Sequence, residues 1–155
     1  MKTKSLIIVM FLISFITPSG ECQTAYESYN SGRVMLDQGM KNGDSVSIES
    51  SISLFDVAIS GFTDPRQLAS VYSKRAVAYG VLGSTDKAIE DFSESLALHD
   101  NLFERKMRGC MFVANGNEKK ARADFTKVCD RDPKSETCGW VDALDKGRLT
   151  DICQP

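Results

Sequence analysis

The chain has 155 residues, of which 42% are hydrophobic and 26% charged, with a formal charge of -2. That length fits one domain, and the weak negative charge gives no reason to expect a nucleic-acid partner, which usually requires a basic surface. Eleven glycines and four prolines exclude a collagen-like chain and do not fit a disordered one.

Lys2 and Lys4 precede an apolar run from Leu6 to Thr17, followed by Pro18, Ser19 and Gly20. This is the layout of a secretory signal peptide, so residues 1–22 are read as a leader cleaved somewhere within 19–22. The run falls short of the roughly 20 apolar residues that a spanning helix needs. The expected product is therefore exported, periplasmic or secreted, with no membrane span after cleavage; an uncleaved membrane anchor is the alternative reading. Glu21 stands directly before Cys22 and suits a lipid-attachment site poorly, so no lipid anchor is assigned.

Four cysteines lie in the body of the chain, at Cys110, Cys129, Cys138 and Cys153. In an oxidising compartment such thiols tend to pair, and four allow three full pairings among which spacing cannot choose. No CxxC pair occurs and the single histidine is His99, so no metal site is expected. No glycine-rich phosphate loop, paired-histidine motif or nucleophile elbow occurs either. No cofactor is expected, and the chain does not read as an enzyme.

The segment from 25 to 65 takes its meaning from the two that follow. Tyr72-Ser-Lys-Arg-Ala-Val-Ala-Tyr79 aligns with Arg105-Lys-Met-Arg-Gly-Cys-Met-Phe112, Tyr72 falling on Arg105. The same shift carries Ala88 onto Ala121, Asp91 onto Asp124 and Phe92 onto Phe125. Val71, Leu82, Ile89, Leu96 and Leu98 recur at helical spacing, and Gly83-Ser84-Thr85 and Asn115-Gly116-Asn117 are turn signals between paired helices. Small residues at 76 and 88 let two antiparallel helices approach, and Tyr79 and Phe92 fill the space beside them. Each hairpin leaves an apolar face that a neighbour must cover.

These positions resemble the tetratricopeptide repeat (TPR), whose pattern runs Trp-x2-Leu-Gly-x2-Tyr, then Ala-x3-Phe, then Pro. Tyr72, Ala76, Tyr79, Ala88 and Phe92 fill the pattern in one unit; Gly109, Phe112, Ala121, Phe125 and Pro133 fill it in the next. Arg75 and Arg108 stand where the pattern has Leu, Arg105 where it has Trp, and Asp100 where it has Pro. The resemblance implies an all-α solenoid of antiparallel helix hairpins, with units at about 25–65, 69–101 and 102–134 and a capping helix at 135–147. The repeat domain then covers 23–150, and 148–155 is a tail. In the first unit Gly32 and Met35 stand on one helix, from about Ala25 to Met40. Ser51, Phe55 and Ala58 stand on the second, which Asp64-Pro65 ends. The step from Gly32 to Ser51 is longer than the step from Ala76 to Ala88. It predicts a hairpin loop about seven residues longer than the repeat's standard one, around Lys41-Asn-Gly-Asp-Ser. Trp140 is expected to face inward from the cap.

Cys129 and Cys138 flank one turn, and the stretch also resembles the Sel-like branch of solenoid repeats, in which a nearby pair staples helices. A Cys129–Cys138 bond is the preferred pairing on that ground. Cys110 then either bonds Cys153, drawing the tail toward the groove, or stays a free or core-packed thiol. In the TPR family first helices line a concave groove that grips peptides. Lys74, Arg75, Arg105, Lys106 and Arg108 lie on two successive first helices and form a candidate partner-binding stripe for an acidic segment, with an ordinary solvated surface as the alternative. The resemblance implies a protein–protein interaction scaffold or adaptor with a protein or peptide partner. A secreted effector or inhibitor, and a thiol-redox protein using Cys110 or Cys153, are the other readings.

Overall fold

A computed structural model describes the backbone of residues 18–153 and the side chains of 23–153. The expected leader lies, up to residue 17, outside the described residues. Within them, seven α-helices and one short 3-10 turn follow in order: α1 Pro18–Asn42, α2 Ser45–Gly61, α3 Pro65–Val81, α4 Thr85–Leu98, α5 Leu102–Ala114, α6 Glu118–Arg131, α7 Thr137–Asp145, and Leu149–Asp151. Each helix packs on the next, and α1 also touches α3. The first helices α1, α3 and α5 lie side by side, with α1 touching α3 and Gly80 of α3 close to Met111 of α5. Helices α2, α4 and α6 form the second layer.

Local chemistry sets the helix ends. Asp44, Asp64, Asn101 and Asn117 cap α2, α3, α5 and α6 by accepting backbone N–H bonds, which satisfies donors that a helix start leaves unpaired. The α3–α4 and α5–α6 turns share three backbone bonds in register. Ser84 N–H reaches Tyr79 O as Asn117 N–H reaches Phe112 O, and Gly83 and Gly116 supply the left-handed residue.

The first hairpin corrects two expectations. Its extra residues do not form a loop: α1 and α2 are joined by Gly43 and Asp44 alone. Seven residues are about one added turn on each of two helices, so the hairpin grows taller while its close contact survives. A Cβ on Gly32 would sit 2.8 Å from the Phe55 ring, as one on Gly109 would sit 2.3 Å from Phe125. The chain thus travels further from Gly32 to Phe55 than from Gly109 to Phe125 and still brings each pair together. The second difference is at Asp64-Pro65, which starts α3 rather than ending the preceding unit. Asp64 is the cap and Pro65 takes the first helical position, where its missing N–H costs nothing.

The apolar core is split. One cluster gathers Leu36, Ile48, Phe55, Phe62 and Val71; the other gathers Phe112, Phe125, Leu144 and Ile152 at the C-terminal end. Between them Ser95 Oγ lies 2.8 Å from Ala69 O and 2.5 Å from Glu104 Oε2, tying α3, α4 and α5 through a buried polar contact. Trp140 is half-buried and meets Phe125 edge-on at 5.2 Å, facing inward from the cap. Among the described residues no helix is long and apolar enough to cross a membrane.

Candidate functional site

The five candidate cations do not form one stripe. Arg75 of α3 makes two 2.8 Å bonds to Asp91 of α4 and a further ion pair with Asp56 of α2. Arg108 of α5 repeats the arrangement on Asp124 of α6, again with two 2.8 Å bonds, and donates to Ser93 of α4. Arg105 is bonded to Asp124 and Asp100. Asp91 and Asp124 are buried, and an arginine that reaches such a carboxylate forms a planar, charge-assisted pair. Hydrogen bonding to Asp91 is the largest cause that pushes the Arg75 pKa above its ordinary value, against the opposing effect of burial. These three arginines therefore turn toward the second helices as interhelical clamps. Arg75 and Arg108 stand at the Leu positions of the repeat pattern, and both reach across their hairpins to the second helix.

Lys106 goes the other way. At about 100° per residue, Phe103, Lys106, Met107, Cys110 and Ala114 share the side of α5 opposite Arg105, Arg108 and Phe112. The matching residues on α3 are Ser70, Ser73, Lys74, Val77 and Val81, so Lys74 lies on this outer first-helix face as well. The Lys106 ammonium is 5.6 Å from the Phe103 ring centroid and 5.9 Å from that of Trp140, and pairs with Glu136 at 3.1 Å. Sequence reasoning missed the apolar part of this face. Tyr26 on α1, Val81 on α3 and Phe103 on α5 are 56%, 52% and 56% exposed. Tyr26 and Phe103 stand at the same step before the close-packing glycines Gly32 and Gly109, which was the available signal; Val81 carries no such mark.

The tail borders this face. Cys110 is disulfide-bonded to Cys153 with Cα atoms 5.7 Å apart, and Cys129 to Cys138 with Cα atoms 5.0 Å apart. The first bond brings Ile152 into the C-terminal apolar cluster, where it is buried. The backbone at Cys153 has φ of 58°, a left-handed conformation that is uncommon for a non-glycine residue. All four body cysteines are thus paired, and the residues 148–153 follow the C-terminal end of the outer face instead of trailing away.

No protein-family model matches the sequence. The chain is similar to the photosystem I assembly protein Ycf3 of Prochlorococcus marinus strain MIT 9211, with 30% identity over 74 residues, and to that of Synechococcus sp. strain WH7803, with 31% over 74 residues. Each match covers 45% of this chain, and the chain spans 43% of the length of these relatives. Among solved structures it is similar to the Arabidopsis OM64 TPR domain, with a TM-score of 0.67, 19% identity and coverage of 83% of this chain and 99% of that one. The first TPR of Spaghetti (RPAP3) bound to the HSP90 peptide SRMEEVD matches with a TM-score of 0.66 and 20% identity, over 81% and 94%. The second TPR domain of human RPAP3 in complex with the HSP70 peptide SGPTIEEVD matches with a TM-score of 0.64 and 18% identity, over 78% and 98%. At these identities the likeness establishes the fold: an all-α, TPR-like solenoid of antiparallel helix hairpins.

Proposed function

We propose that this chain is an exported, non-enzymatic interaction scaffold that binds a protein or peptide on its outer first-helix face. The observation that carries the reading is its likeness, over 78% and 81% of the chain, to two TPR domains whose structures hold a peptide. Exposed Tyr26, Val81 and Phe103, with Lys74 and Lys106 between them, give that face the apolar anchors with polar surroundings that bind peptides. Export is supported by the layout of residues 1–22 and by the two disulfides, which belong to an oxidising compartment.

The test is affinity capture with the oxidised chain from residue 23 onward, against envelope and secreted fractions. A stoichiometric partner is expected, and the variant Val81→Asp with Phe103→Asp should lose it while keeping its helical circular dichroism. Equal capture by the folded variant would refute the outer face as the binding surface. N-terminal sequencing of the protein recovered from those fractions tests leader cleavage: a start between 20 and 23 is expected, and an intact Met1 would contradict it.

A further inference from the structure

The geometry points to a second docking site, a cleft between α4 and α6 that takes an acidic segment of a partner protein. The cleft holds about 360 Å³, toward the lower end of the range of small-ligand pockets. Its floor comes from Arg105 and Arg108 of α5, and Lys120 and Lys127 stand on the α6 wall. Against these four cations the lining has one carboxylate, Asp124. Asp124 is already shared by Arg105 and Arg108, and Asp100 meets Arg105 from outside the lining. The Lys120 ammonium rests over the Phe112 ring at 5.4 Å, and among the described residues the Lys127 ammonium has neither an ion pair nor a hydrogen bond. Like charges gathered in a recess raise the local potential, and an entering carboxylate relieves it.

The repeat frame does not require this charge. One repeat earlier, the same positions carry Tyr72 for Arg105, Glu90 for Ala123 and Glu94 for Lys127, while Arg75 and Lys87 match Arg108 and Lys120. Asp56, the partner of Arg75, takes the part that Ser93 plays for Arg108. The second-unit positions therefore hold two cations and four carboxylates, where the third-unit cleft holds four cations and one carboxylate. Lys127 and Ala123 are exposed, so packing does not choose them. The clamp between arginine and aspartate is common to both units, and the charge around it is reversed. The cleft also lies on the side of α5 opposite Phe103, Lys106 and Cys110, so it is separate from the outer first-helix face and both can be occupied together.

The test titrates the oxidised chain with a fluorescent octaglutamate peptide and follows anisotropy and backbone NMR shifts. Saturable binding is expected, with shifts at Ser93, Phe112, Lys120 and Lys127, weakening as salt rises from about 50 to about 300 mM. Lys120→Glu with Lys127→Glu should weaken it about tenfold or more. Lys41→Glu with Lys134→Glu, which makes the same change of charge at exposed places outside the cleft, should leave it within about threefold. Equal losses from the two double variants would overturn the site, as would shifts confined to α1 and α3. Tighter binding of inorganic phosphate than of the peptide, or salt-dependent self-association without peptide binding, would also overturn it. Val81→Asp with Phe103→Asp should leave octaglutamate binding unchanged, which separates failure here from failure of the outer-face reading.

Discussion

The first and third hairpins make the same close contact, a glycine against the edge of a phenylalanine ring, and support it by different means. In the first, Gly32 meets Phe55 between helices of 25 and 17 residues, backed by an apolar cluster that reaches Phe62 and Val71. In the third, Gly109 meets Phe125 between helices of 13 and 14 residues. There the Arg108–Asp124 clamp and two disulfides stand in for length. At the place of the clamp the first hairpin carries Ser31 and Leu54. Helix–helix approach is thus fixed by the fold, whereas what holds it is interchangeable between apolar length, covalent links and charge pairs.

The sharpest way to break the comparison is to remove the covalent support. Cys110 and Cys153 are separated by 43 positions in sequence and Cys129 and Cys138 by 9. Chain-entropy arithmetic puts the upper bounds at about 4 and about 2.5 kcal/mol. Urea unfolding of Cys110→Ser with Cys153→Ser should therefore show a larger loss than Cys129→Ser with Cys138→Ser. Hydrogen exchange in α1 and α2 should change in neither.

Next comes the shared contact itself. Gly109→Ala puts a methyl 2.3 Å from the Phe125 ring, and Gly32→Ala one 2.8 Å from Phe55. The expected costs are about 3 and about 1 kcal/mol by overpacking, read as shifts of the denaturation midpoint. Ala76→Gly, at the matching place in the second unit, should cost about 1 kcal/mol through helix propensity, and more through the loss of a buried methyl.

The clamps give a smaller effect that a double-mutant cycle resolves. Arg75→Leu strands the buried Asp91 carboxylate and should cost about 2 kcal/mol, most of which returns in Arg75→Leu with Asp91→Leu. Additive losses would show that the pair is not coupled. The smallest effect is electrostatic. Hydrogen bonding to Arg105, the largest cause, holds the Asp100 carboxyl below its ordinary value of 3.8, with Arg131 adding to it. A depressed folded-state pKa means that this stabilisation is present above the ordinary value and disappears as pH falls through the lower folded one. Asp100→Asn should accordingly flatten the stability profile at the acid end and leave it unchanged in shape near neutrality.

Much of the fold was legible because packing leaves a periodic trace. Ala76 and Gly109, like Phe92 and Phe125, recur at one fixed step because each must meet its hairpin partner at the same height. The first unit hid its regularity because a turn added to each helix looks, in a one-dimensional spacing, like an inserted loop. Arg75 and Arg108 were harder to read. A side chain's direction depends on a partner carried by the next helix, and a cation on a first helix reads as groove surface until Asp91 and Asp124 are seen to lie buried beneath it. The outer face left still less trace, since exposed Tyr26, Val81 and Phe103 differ from core residues only in where their helices turn them.

The most direct measurement is hydrogen–deuterium exchange of the oxidised chain with and without its captured partner. Slowed exchange in α3 and α5, around Ser70 to Val81 and Phe103 to Ala114, is the expected result. Protection that spares α1, α3 and α5 would contradict a partner held on the first-helix face.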